Sequence, residues 1–316
     1  MASAGAGDAG EAAATGIEDL PADVLALVLR RLDGPSLAAL GCASAAFRGL
    51  AADPGAWRAL CLALWPSLLA AAPGGGVKDQ YRRLFADAFP LPALPPPAPA
   101  PAPDAPGLPA RLVSAVDLRY GGALVLSRAV ETDAAASRWF LGAPFRVDAL
   151  VVQERPIALP APVAPAELAL SWVLLDPASG RALSASTRRP VRVDRRWPTG
   201  DTVVRFAVVF GDAVLDAAVT CDERCGRVSE VSLCVEDAEG GGVSGRDGLA
   251  LVAAAMAGDR MGRGAEAEAG KRYEEFVDAR AARKERKARR EGIVDLCCSG
   301  VGAAAFLGFL VMLTFR

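Results

Sequence analysis

Residues 20–61 constrain the fold more than any other stretch. They read LPADVLALVLRRLDGPSLAALGCASAAFRGLAADPGAWRALC. Pro21 suits a first helical position, where its fixed φ helps and no N–H is needed. Val24, Leu25, Val28, Leu29 and Leu32 then recur at helical spacing and make one apolar face. Asp33-Gly34-Pro35 stops that helix and starts a second, carried by Leu37 and Leu40. Phe47 and Leu50 mark a third. Asp53-Pro54 opens a fourth, with Trp57, Leu60, Cys61 and Leu64. Four short helices with nearly all-apolar stripes bury little surface by themselves, so this unit is expected to finish its core against a partner.

These residues resemble an F-box, the module that docks a substrate receptor onto the Skp adaptor of an SCF ubiquitin ligase. The resemblance is carried by Leu20, Pro21, Asp23, Val24, Leu25, Val28, Leu29, Arg31, Leu32, Leu37, Leu50, Asp53, Pro54 and Trp57. Ala43-Ser44 stand where the family often has Val-Cys, and Phe47 where it often has Trp, giving smaller anchors on the third helix. The resemblance implies that Leu20, Pro21, Val24, Leu25, Val28, Leu29, Leu37 and Trp57 dock the adaptor or support the docking surface. Spacing does not separate those two roles.

Composition narrows the function. Histidine is absent, which removes Ser-His-Asp and Cys-His nucleophilic sites and His-containing zinc sites. There is no GxxxxGK[ST] loop, and no GxGxxG follows a strand. Cys221 and Cys225 form a CxxxC pair with Cys234 nearby, but a fourth thiolate is missing, so they read as ordinary thiols. No catalytic residue, metal or cofactor is expected. Asp/Glu-only chemistry such as glycoside hydrolysis stays open, because carboxylate separation is not readable from sequence. The net charge of −2 favours no nucleic acid. Residues 1–16 are Ala/Gly-rich and acidic, without the basic and apolar regions of a secretory signal, and read as disordered. The cysteines therefore read as reduced thiols of an intracellular protein.

The expected fold class is α+β. A helical module with a linker helix at 79–89 spans 17–89. Residues 90–110 are a Pro/Ala-rich linker, about half proline, which at roughly 3 Å per residue is a semi-rigid spacer of up to about 60 Å. Residues 111–248 switch to short β-rich runs at 112–118, 123–127, 139–141, 147–152, 168–175, 191–193, 203–210, 213–219 and 228–235, the pattern of a β-sandwich. Alternation puts Arg192 and Arg205 on the face opposite the core. Residues 249–292 form a helical basic segment, and 293–316 a hydrophobic tail.

The stretches LVSAVDLRYGGALVLSRAVET, SRWFLGAPFRVDAL and LSWVLLDPASGRALSASTRRPVRVDRRWPTGDTVVRFA resemble the C-terminal domain of a family of plant F-box proteins, with a looser likeness to phloem-lectin-type domains. That resemblance implies substrate reception but no particular client. Arg188, Arg189, Arg192, Arg195, Arg196 and Trp197 concentrate positive charge beside an aromatic. They are a candidate client site for an acidic or phosphorylated segment or a glycan, or else a charge-guarded strand edge.

Residues 296–315 carry no charge and at 1.5 Å per residue match the hydrocarbon thickness of about 30 Å. The basic run before them would face the cytosol. This reads as a C-terminal transmembrane anchor, by default in the endoplasmic reticulum. Cys297 and Cys298 are lipidation candidates at its border. A terminal helix buried on the sandwich is the other option. The expected function is a non-catalytic receptor that binds the Skp adaptor, through it cullin, and a client protein. The alternatives are a glycan- or anion-binding module, or a membrane-tethered Skp scaffold without a degradation role.

Overall fold

Three short polar residues cut the N-terminal apolar run into helices. The computed structural model describes residues 17, 20–71, 80–93, 108–134, 137–197, 199–262 and 264–314. It divides into two compact units, one drawn from Met1–Leu64 and Gly74–Phe85, the other from Trp65–Pro73 and Ala86–Arg316.

The first unit holds α1 (Ala22–Leu29), α2 (Gly34–Ala43), α3 (Ala45–Ala51) and α4 (Pro54–Leu64). Asp33 Oδ1 accepts the Ser36 N–H at 2.8 Å at the head of α2, and Ser44 Oγ accepts the Phe47 N–H at 3.2 Å at the head of α3. The Asp53 carboxylate accepts the N–H groups of Gly55 and Ala56 at 3.1 and 2.9 Å in the first turn of α4. Each such cap contributes about 1 kcal/mol. Leu25, Leu29, Leu37, Phe47, Ala51, Trp57 and Cys61 are buried, together with Tyr81, Leu84 and Phe85. The Trp57 indole N–H donates to the Ala51 carbonyl at 2.7 Å. The Phe85 ring lies 5.4 Å from that of Trp57. A Cβ on Gly34 would fall 2.0 Å from Phe85 Cζ, so glycine is required for this approach. The stretch read as a linker helix does pack on the module, as expected.

In the second unit, α5 (Leu68–Ala71) is tied to a strand by Ser67, and α6 (Tyr81–Ala88) contributes Asp87. Among the described residues ten strands follow: β1 (Leu112–Tyr120), β2 (Ala123–Thr132), β3 (Arg146–Leu150), β4 (Ile157–Ala158), β5 (Leu168–Asp176), β6 (Arg181–Ser184), β7 (Arg192–Arg195), β8 (Thr202–Phe210), β9 (Ala213–Asp222) and β10 (Arg227–Asp237). One antiparallel sheet runs β2-β1-β5-β6. The other runs β3-β10-β9-β8-β7, with β4 added on β10. Alternate residues face inward. Leu170, Trp172 and Leu174 of β5 share one core with Val204, Phe206 and Val208 of β8 and with Leu215, Ala217 and Val219 of β9. Ser67 offers its backbone N–H and its hydroxyl to the buried Asp117 carboxylate of β1, the latter at 2.6 Å.

Residues 139–141, expected as a strand, instead belong to α7 (Arg138–Gly142). Ser137 Oγ accepts the Phe140 N–H at 3.2 Å and caps it, a signal that a short apolar run does not reveal. β6 was not anticipated. Its sequence RALS has little strand character and is held by pairing with β5. α8 (Gly245–Ala257) buries Leu249, Val252 and Met256 in the core. Arg260 then donates to the carbonyls of Asp87 at 2.6 Å, Gly258 at 2.8 Å and Ala182 at 3.1 Å. Within the stretch read as a spacer, Leu91 is buried and its carbonyl accepts the Met261 N–H at 2.8 Å. Residues 94–107 lie outside the described residues.

α9 (Ala265–Thr314) is one helix of 50 residues. Its first turns pack Tyr273 and Phe276 against Ala207, Val214 and Ala238. Arg280 pairs with Glu236 at 2.7 Å and Arg283 with Asp212 at 2.9 Å. The expected transmembrane helix finds no support here: among the described residues no helix is long and apolar enough to cross a membrane. The side chains of 292–305, which include Cys297 and Cys298, lie outside the described residues.

Candidate functional site

The short α1 carries two faces, and the core takes only one. Leu25 and Leu29 turn inward, where Leu29 is 6 % exposed. On the other side Leu20, Val24, Leu27 and Val28 stay in water, with Leu27 64 % and Val28 50 % exposed, and Ile17 precedes them equally bare. Val24, Leu27 and Val28 are three and four positions apart on α1 and share one face, and Leu20 is exposed just ahead of the helix. A line of exposed aliphatic residues on a unit this small is the mark of a protein-docking surface.

The eight expected docking positions therefore sort into two groups. Leu20, Pro21, Val24 and Val28 are exposed and available to a partner. Leu25, Leu29, Leu37 and Trp57 fill the module's own core. Leu27, exposed on the same face three residues after Val24, was not among the expected positions, although that separation was the available signal. Arg82 lies with its guanidinium 6.0 Å from the Trp57 ring centroid, a cation–π contact that steadies the buried indole. Burial pushes the Cys61 thiol up to about 12, so it is an inert packing group.

The arginine-rich stretch sits at the outer edge of the larger sheet. Arg192 and Arg205 are register partners and share the outer face, as the alternation required. Their charge is largely answered there. Asp194 takes Arg192 at 2.6 Å and Arg205 at 3.0 Å, and Arg205 also pairs with Asp216. Arg195 pairs with Glu223 at 3.3 Å, and Arg196 reaches Glu230 at 3.9 Å. Burial works against the Asp194 carboxylate, but hydrogen bonds from Arg192 and Arg205 outweigh it and hold its pKa below the ordinary value. Arg188 and Arg189 form no ion pair among the described residues; the Arg188 backbone N–H is instead held by Glu266 at 3.0 Å. Trp197 is 96 % exposed.

Cys221 is buried, and that burial pushes its thiol up to about 11, while Cys225 is exposed in the β9–β10 turn. Among the described residues no group of three or more Cys, Asp or Glu is arranged to hold a metal.

Comparison with known proteins bears on the helical module and on the chain as a whole. A family model described as F-box-like matches residues 17–63. A probable F-box protein of Arabidopsis thaliana is 35 % identical over 301 residues, covering 91 % of this chain and 89 % of the relative. An F-box protein of the same plant is 34 % identical over 328 residues, 92 % of this chain and 94 % of its own length. A further Arabidopsis F-box protein is 31 % identical, covering 94 % and 90 %. No solved structure matches the chain. The likeness runs through the helical module and the β-rich domain together, so the chain belongs to this family of plant F-box proteins.

Proposed function

We propose that this chain is a non-catalytic substrate receptor of an SCF-type ubiquitin ligase. The exposed line of α1 docks a Skp-type adaptor, the adaptor links to cullin, and the β-sandwich holds a client. The observation that carries the reading is the unpartnered row Leu20, Val24, Leu27 and Val28 on an F-box-like module. The chain supplies proximity: it turns an encounter between charged ubiquitin and a client lysine into a near-intramolecular one. The test is co-purification of the full chain with a Skp-type adaptor. Wild type is retained and Leu27→Asp/Val28→Asp is lost. Retention of that variant, or failure of folded wild type to bind, would leave the glycan-binding alternative to be tested on the sandwich.

For the client, the charge pairing along β7 favours the exposed Trp197 as the contact, because Arg192, Arg195 and Arg196 have carboxylate partners and Glu266 stands against Arg188 and Arg189. A membrane tether through residues 296–315, with lipid on Cys297 or Cys298, is the finer part of the reading. It is favoured by Phe306, Leu307, Leu310, Val311, Met312 and Leu313, which are exposed around the whole circumference of α9. Alkaline extraction of membranes tests it. Release of the full chain into the supernatant would remove the tether.

A further inference from the structure

Ubiquitin is transferred to amines, and amines are scarce in this molecule. Of its 35 lysines and arginines only four are lysine: Lys78, Lys271, Lys284 and Lys287. Every basic side chain of α1–α5 and of all ten strands is arginine. An arginine guanidinium is delocalised and stays protonated, so it cannot replace lysine as the attacking amine. Lys78 lies outside the described residues. The other three all lie on α9 and are all exposed.

The three differ in setting. Lys271 sits where the helix is packed on the sheet, two residues from the buried Tyr273, and faces Glu275 at 3.8 Å. Lys284 and Lys287 follow Arg283, whose bond to Asp212 is at the end of the helix's docked stretch. Neither forms an ion pair among the described residues. Lys287 stands about 6 Å further along the axis than Arg283. Their neighbours from 281 to 290 are exposed apart from Ala282, so nothing described shields either amine.

We propose that Lys284 and Lys287 are the sites at which this receptor itself accepts ubiquitin, and that helices α1–α5 and the strands, which carry no lysine, are refractory to modification on lysine. The inference rests on the ligase reading above. In the step, the lysine ε-amine gives up a proton to solvent and attacks the thioester carbon that joins the ubiquitin C-terminus to a conjugating enzyme's cysteine. A C–N amide bond forms as the nitrogen sheds a second proton to solvent, the C–S bond breaks, and the cysteine leaves as thiolate. The consequence is that ubiquitin is carried on α9 beyond the stretch docked on the sheet, and marks the receptor for turnover from there.

The test incubates the full chain with ubiquitin-charged conjugating enzyme in two reactions. One contains a Skp-type adaptor and a cullin–RING core; the other omits both and uses a high concentration of charged enzyme. Modified lysines are read by mass spectrometry as diglycine remnants. Remnants on Lys284 and Lys287 in both reactions are expected, together with loss of most conjugates in K284R/K287R, a variant whose melting temperature and adaptor binding match wild type. Remnants chiefly on Lys78, Lys271 or hydroxyl groups, undiminished conjugation of the double variant, or no remnants in either reaction overturn the proposal. If the core produces no acceleration, the receptor reading fails, and the acceptor sites are still read from the reaction without the core.

Discussion

Leu27 and Leu29 are two positions apart on α1 and should fail in opposite ways when cut to alanine. Leu29 is 6 % exposed, so Leu29→Ala falls on stability and should cost about 2–5 kcal/mol through lost burial and a residual cavity. Leu27 is 64 % exposed, so most of its apolar surface is still available to a partner. At about 0.8 kcal/mol per buried CH₂, the three carbons removed by Leu27→Ala, weighted by that exposure, come to about 1.5 kcal/mol of binding, or roughly a tenfold rise in Kd. Val28→Ala, by the same reasoning with two carbons and half exposure, adds about 0.8 kcal/mol. The double variant Leu27→Ala/Val28→Ala should therefore bind a Skp-type adaptor roughly 50-fold more weakly while losing no more than about 1–2 kcal/mol of folding stability. Calorimetric titration against the adaptor gives the first number and thermal unfolding gives the second. Wild-type affinity in a folded double variant would refute the assignment of this face. A collapse of folding in the double variant would refute the division between docking and core residues.

Other expectations follow from the same geometry. Gly34→Ala drives a Cβ into the Phe85 ring and should lower stability by about 1–3 kcal/mol; an unchanged melt would show that the ring does not pack there. Gly226 and Gly200 both have positive φ, but only at Gly226 does a Cβ meet backbone, 2.3 Å from the Leu159 carbonyl oxygen. Gly226→Ala should therefore destabilise clearly more than Gly200→Ala, and equal losses would refute the close approach. Burial raises the Asp117 pKa, against the opposing hydrogen bonds from Ser67 and Ser127. Folded Asp117 thus keeps its proton to higher pH than the unfolded chain does. Its contribution is full below about pH 4 and is lost as pH rises through the folded pKa, so Asp117→Asn should flatten that decline in a melting series. Trp197→Ala removes a fully exposed ring and should leave stability within about 0.5 kcal/mol while weakening client capture; unchanged client turnover would remove Trp197 from the client surface.

The sequence was most informative where one element's period and punctuation agreed. Asp33 and Asp53 became caps because a short polar side chain before an apolar run has one favourable use there, while Ser44 caps α3 without having been read as a cap. Most strands were legible because a half-buried sheet imposes a period of two. Trp139 misled because a three-residue apolar run fits helix and strand equally, and the Ser137 cap decided it. What period cannot show is contact between distant segments. Nothing in residues 33–35 announces that Gly34 receives the Phe85 ring. Likewise, nothing in RRPVRVDRRW shows that Glu223 in the β9–β10 turn and Glu230 on β10 answer its charge. The expected docking positions were chosen as a set, and dividing them into exposed and buried needed the direction of each side chain.

The bare row on α1 also has a meaning for the cell's accounting of subunits. Synthesised in excess of its adaptor, the chain keeps that strip in water, where a second copy or a chaperone can cover it. Adaptor present above its Kd removes that exposure and adds stability in proportion to the logarithm of its concentration. On the proposed reading, the level of this chain would follow the supply of adaptor as well as its own synthesis, and chains sharing that docking strip would compete for the same partner.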